Sequence, residues 1–303
     1  MKKFSRIKKS SYSVFTIFVF LLIFSCFLGF TFYFINSVFN NKTNSEGQNT
    51  FIDNKIKHQQ NIDSEKLAKD YADKLTLESS TKIAILIVGL GINNEVTNQA
   101  INKLPQSISL GFSSYLNNFD YLNNINRDIF INIPMETYDY FFHDSGPYYL
   151  ICNLGEKENS KRLDFILSKA NLFKGVYTEL YESFTDEIDD LNFLLKKVNP
   201  TNKLILYNDP KEVKPFMDLA TKYKMNDRIL KANIIIGNSL SKNQLITKLE
   251  YLKEISSAKG YSVGIIKASS YNIDILNNWV KEVDKSLKFN IVNITTLVNK
   301  INK

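Results

Sequence analysis

An α/β domain built on a parallel sheet, set behind one apolar N-terminal span, is the fold class this sequence predicts. Three observations lead there. From Lys82 onward short β-prone apolar runs alternate with longer segments of helical period, the strand runs are almost continuously apolar, and Val14 to Ile35 holds no ionisable side chain apart from Cys26 and Tyr33. Continuous apolar strands belong to sheets covered on both faces, so the sheet is either flanked by helices on both sides or closed into a barrel.

The N-terminal part comes first. At ~1.5 Å per residue a helix over 14–35 crosses a hydrocarbon core of ~30 Å. Lys2, Lys3, Arg6, Lys8 and Lys9 precede it, which predicts a cytoplasmic N-terminus and an exported remainder. A cleaved signal peptide is the competing reading; the apolar run is long for one, and no small-x-small site follows it. These basic residues also supply most of the net charge of +7, so the rest of the chain is close to neutral and a nucleic-acid binder is not implied. Residues 36–80, rich in Asn, Lys, Gln, Ser and Asp, read as a polar tether, and residues 81–303 as the folded domain.

Within that domain, strands are expected at 83–88, 107–112, 129–133, 174–177, 203–207, 232–236, 262–266 and 289–292. The clearest helices run from Ser241 to Ala258, with Leu245, Leu249 and Leu252 on one face and Ser239 or Ser241 as cap, and from Tyr271 to Leu287. In the second, Ile273, Leu276, Trp279, Val280 and Val283 form a stripe, which places the single tryptophan in the core. In either parallel architecture chemistry gathers at the C-terminal ends of the strands.

Several chemistries are excluded by what those ends hold. Gly89 and Gly91 begin a dinucleotide-type loop, but Asn94 stands where the third glycine belongs, and no acid ends the next strand. A phosphate loop with Gly-Lys-Ser or Gly-Lys-Thr is absent. Only two histidines exist; His58 falls in the tether, and His143 reads as an exposed loop residue, which leaves little material for a zinc site or a Ser-His-Asp triad. Cys26 and Cys152 lie in different segments and predict no disulfide. What remains is a set of polar side chains: Glu136, Glu179, Asp209 and Lys267 as candidate catalytic groups, the lysine placed to stabilise an oxyanion. Asn132, Tyr115, Asp144 and Tyr148 are candidate substrate contacts, with Tyr138, Tyr140 and Phe141 extending an aromatic loop.

The segments "IAILIVGLGIN", "SISLGF", "IPMETYDY" with "DSGPYYL", "GVYTELYESFT", "LILYNDP" and "GYSVGIIKASSYNIDILNNWVKEV", taken in order, resemble the divergent polysaccharide deacetylase family. The resemblance implies a deformed (β/α) barrel of seven to eight parallel strands. It also implies an ancestral site in which a strand-end acid acts as base and an Asp with histidines holds a divalent metal such as zinc, whose water attacks an acetyl carbonyl. This sequence departs from that pattern at nearly every strand end. Val88 and Gly89 stand where the family has two aspartates, Asn132 where it has a metal-site polar residue, Thr178 to Tyr181 where it has a His-containing turn, Asn208 for an Asp, Asn233 and Gly237 for an acid pair, and Lys267 for a small polar residue or His. The expectation is therefore a single-pass protein of the bacterial inner membrane with its barrel outside, in contact with a cell-wall or envelope glycan, holding no cofactor and most of its hydrolytic chemistry lost. The alternative is an active deacetylase or glycan hydrolase with a rebuilt carboxylate site, using a divalent metal.

Overall fold

The computed structural model describes residues 80–136, 146–180, 184, 187–208, 214–286 and 288–302. The expected span at 14–35 lies outside them. Among the described residues no helix is long and apolar enough to cross a membrane.

Among the described residues nine strands form one parallel sheet: β1 Thr81–Leu90, β2 Ser109–Phe112, β3 Ile129–Asn132, β4 Gly175–Glu179, β5 Leu204–Asn208, β6 Ile229–Lys231, β7 Ile234–Ile236, β8 Tyr261–Lys267 and β9 Phe289–Val292. The hydrogen-bonded order is β6-β5-β4-β3-β2-β1-β8-β7, with β9 paired to the first half of β1. Its two end strands, β6 and β7, are consecutive in the chain. Between them Ala232 N donates to Tyr207 O of β5 (2.8 Å) and Asn233 N to Val263 O of β8 (2.8 Å), so one short segment changes partner and draws the ends of the sheet together. The sheet is thus curled, in the manner of a barrel. Expectation placed a single strand at 232–236; β6 was not anticipated, because three residues with one buried side chain carry no readable period.

Among the described residues six helices return the chain between strands, α1 Asn94–Lys103, α2 Glu156–Leu167, α3 Ile188–Val198, α4 Lys214–Lys222, α5 Lys242–Lys259 and α6 Ser270–Asp284, and α7 Ile294–Ile301 follows the last strand. Ser241 and Gln244 close a capping box at the start of α5, and Gly260 ends that helix at φ 82°, a left-handed turn that favours glycine. Leu245, Leu249 and Leu252 are buried against the sheet, as their spacing predicts.

Strand parity divides the core in two. Ile83, Ile85 and Ile87 of β1 join the layer beneath the helices. Ala84, Leu86 and Val88 face the inner side with Phe130, Tyr177, Leu206, Leu230, Val263 and Ile265. Helix α7 stoppers the N-terminal end of this inner layer with Ile294, Leu297 and Val298. It is tied down by polar bonds: Ser109 Oγ accepts from Ile294 N at 3.1 Å, and Asp128 Oδ2 accepts from Thr295 N at 2.9 Å and Oγ1 at 2.6 Å.

Candidate functional site

The inner face carries its polar groups at one end. Two residues beyond Leu86, Phe130, Tyr177, Leu206 and Ile265 stand Val88, Asn132, Glu179, Asn208 and Lys267, so side-chain alternation turns all five toward the inner side at the C-terminal rim. Glu179 pairs in register with Asn208, and Lys267 with Val88. Lys267 Nζ lies 3.5 Å from Glu179 Oε1, so the curl of the sheet brings β4 and β8 together across the rim. The glutamate side chain is 18% exposed and the lysine 45%. Screening at that exposure leaves the pair little weight in stability; its interest lies in offering an acceptor and a cationic donor side by side.

Val88 is 2% exposed and belongs to the inner apolar layer. Gly111 makes room for it: a Cβ on that glycine would lie 2.8 Å from Val88 Cγ1. The adjacent Gly89 occupies a bulge between the β1–β2 pairs of Val88 and Leu90 at φ 88°, with open space where a side chain would stand. A clamp sits beneath the rim. Asn272 of α6 is fully buried, and its Nδ2 faces Lys267 O (2.9 Å), Gly237 O (3.1 Å) and Asn238 Oδ1 (3.1 Å), which joins the ends of β7 and β8. Asn233, expected at a former acid position, holds two strands together instead, since its Oδ1 accepts from Val263 N at 2.7 Å.

Glu136 serves the loop that follows β3. Its Oε2 accepts from Cys152 N at 2.8 Å, while Glu136 N donates to Leu150 O and Leu150 N to Pro134 O. Nearby, Asp190 Oδ2 accepts from Asn153 N at 2.8 Å. Burial, then the hydrogen bond to Asp190 and the charges of Asp190, Glu136 and Glu187, push the Cys152 thiol up to about 12. At neutral pH it is a protonated thiol without nucleophilic character.

Tyr148 stacks on Phe165 with centroids 3.9 Å apart and on Tyr115 at 5.5 Å, and its N–H donates to Tyr115 Oη at 3.2 Å. Gly146 at φ 82° lies against the Tyr115 ring, where a Cβ would come within 2.8 Å. These two tyrosines pack on each other and on α2. Asp209, Asp144, His143, Tyr138, Tyr140 and Phe141 lie outside the described residues. Of the expected site residues the structure thus unites Glu179 and Lys267, sets Asn132 on the same rim, and gives Glu136 a loop-holding bond. Asn272 was missed, although its place four residues before Leu276, on the apolar stripe of α6, was a signal: a polar residue on a buried stripe needs internal partners.

A divalent metal of the deacetylase kind does not fit the described rim. Among the described residues no three His, Cys, Asp or Glu side chains gather to hold one. The positions where resemblance expects ligands carry Val88, Gly89, Asn132 and Asn208.

A curled parallel sheet with its polar groups collected at the C-terminal rim defines a barrel-like α/β protein. Residues 85–298 match the family model described as divergent polysaccharide deacetylase, which spans more than half of the chain, and the chain belongs to that family. A solved structure of an uncharacterized protein from Agrobacterium tumefaciens C58 shares the fold with TM-score 0.65 and 22% identity, over 72% of this chain and 89% of that one. A proposed cellobiose-phosphate cleavage protein from Enterococcus faecalis V583 aligns over 72% of this chain and 99% of its own at TM-score 0.49 and 11% identity, too low to carry an argument. No curated protein matches the sequence.

Proposed function

We propose that this chain is a membrane-anchored, envelope-facing member of the family that binds a cell-wall glycan at the C-terminal rim and does not hydrolyse it. The observation that carries the reading is Val88. Where the family resemblance expects the strand-end acid, an aliphatic side chain is 2% exposed and packed over Gly111 in the inner layer. Hydrocarbon there takes no proton and binds no cation, and a general base is worth ~10² to 10⁴ in rate. The Glu179–Lys267 pair supports binding, since a carboxylate accepts from sugar hydroxyls and an ammonium donates to an N-acetyl carbonyl. Anchoring through residues 14–35 rests on their apolar length and the basic residues before them.

The same pair favours a second reading, in which Glu179 and Lys267, with Glu136 and Asp209, form a rebuilt hydrolytic site. Full-length protein in neutral detergent, mixed with acetylated peptidoglycan or chitin fragments with and without Zn²⁺, Co²⁺ or Ni²⁺, separates the two. The binding reading expects saturable association weakened by Glu179→Gln and Lys267→Met, and no acetate. Metal-dependent acetate release abolished by Glu136→Gln overturns it. Release abolished by Glu179→Gln or Lys267→Met establishes the second.

A further inference from the structure

The opposite end of the sheet carries a different chemistry. Arg127, Lys174 and Lys203 immediately precede or lie within two residues of β3, β4 and β5, so they sit side by side at the N-terminal ends of three adjacent parallel strands. Two cavities open there, of about 410 and 230 Å³, and Asn126, Arg127 and Lys174 line both. The larger adds Gln106, Ser107 and Thr296, and the smaller adds Lys203.

The charges around these cavities are unbalanced. Neither Lys174 nor Lys203 has a carboxylate partner among the described residues, and Lys203 rests over the Phe173 ring at 5.9 Å. Burial, and after it the charge of Lys174, holds the Lys203 ammonium below its ordinary value. Arg127 spends Nη2 on the carbonyls of Ile101 and Leu104, while its Nη1 is buried with no hydrogen-bond partner among the described residues. The one acid lining the larger cavity, Asp128, accepts from Thr295 N and Oγ1 through Oδ2, against three cationic side chains around the two cavities. Three cationic side chains, one of them with an unspent guanidinium nitrogen, and neutral donors from Gln, Ser and Asn residues match the oxygens of a phosphoryl group.

We infer that this groove is a phosphate-group site, separate from the glycan rim and held by Lys174, Lys203 and Arg127. The group comes either from a soluble phosphate monoester or from an anionic phospholipid headgroup. The chain enters β1 at Thr81 on this same end of the sheet, which makes the lipid source worth an arm of its own.

The test is amine-acylation footprinting of Lys174 and Lys203 by mass spectrometry on the full chain. Inorganic phosphate or glycerol 3-phosphate, titrated in neutral detergent against chloride at matched ionic strength, is expected to protect both lysines saturably while Lys242 and Lys281 stay unchanged. Lys174→Gln and Lys203→Gln are each expected to weaken the protection of the other lysine about tenfold, as befits loss of one charge-assisted bond. Reconstitution into phosphatidylglycerol vesicles then separates the sources. Protection absent in phosphatidylcholine and relieved by added phosphate assigns a headgroup; protection by the soluble phosphates alone assigns a monoester. If neither soluble phosphate nor phosphatidylglycerol protects the two lysines beyond matched chloride or phosphatidylcholine, the site does not exist.

Discussion

Replacing Asn272 by Asp puts a carboxylate where the native amide donates to three oxygens, those of Lys267, Gly237 and Asn238. The native Nδ2 has two hydrogens to share among them, so about 2 kcal/mol of net hydrogen bonding is lost. A charge is also buried at 0% exposure against acceptors only, which adds several kcal/mol before relaxation. At pH 7 the substitution is expected to cost at least about 4 kcal/mol, against about 2–3 kcal/mol for Asn272→Ala, which leaves the carbonyls unpaired without adding charge. The pH dependence has a definite sign. Burial among acceptors raises the folded-state value of the new carboxyl above its unfolded value of ~3.9, and a protonated acid can donate once. The deficit relative to wild type is therefore smallest below the unfolded value and grows as pH rises through the folded one. Urea unfolding of the full chain, followed by the fluorescence of the single, buried Trp279, measures the difference at pH 4.5 and pH 7.5. A deficit under about 1 kcal/mol at pH 7.5, or one independent of pH, would refute the clamp.

Three further outcomes follow from other parts of the molecule. With its thiol pushed up to about 12, Cys152 in the folded chain should react with iodoacetamide at pH 8 about a thousandfold more slowly than in urea, read on its own peptide by mass spectrometry; rates within tenfold would show the thiolate is accessible. Asp128→Ala removes two charge-assisted bonds to Thr295 and should cost about 3 kcal/mol, with amide exchange accelerated first in α7; unchanged exchange there would mean the helix is held by its apolar face alone. Gly89→Ala should cost about 1 kcal/mol from backbone conformation alone, since nothing lies near its Cβ, whereas Gly111→Ala should cost about 1–3 kcal/mol by crowding Val88. Adding Val88→Ala should relieve only part of the Gly111→Ala cost, because the new Cβ also lies 3.1 Å from Ile87 O; full rescue or none would each contradict the geometry.

Much of the strand pattern was readable because parallel strands buried on both faces announce themselves as unbroken apolar runs. "IAILIV" is the plainest, and it became the middle of β1. The caps at Ser241 and the stripe through Trp279 were equally local signals and appear where their spacing placed them. The exchange of partners at Ala232 and Asn233 was not readable, since a switch between two strands distant in sequence leaves no periodicity. The role of Glu136 was only half visible. Its motif marked it as special, yet the bond to Cys152 N depends on a loop that returns sixteen positions later.

The amino-acid sequence by itself determined the class of fold, the direction of its strands and the chemical poverty of their ends, because backbone alternation and residue type are local properties. Which rim residues meet was decided by tertiary structure alone. Glu179 and Lys267 are on strands that the hydrogen-bonding order separates by β3, β2 and β1, and only the curl of the sheet closes that gap to 3.5 Å. The pairing of three adjacent strands sets Arg127, Lys174 and Lys203 side by side at the other end, so one sheet presents a mixed pair of charges at its C-terminal rim and a cationic groove at its N-terminal one.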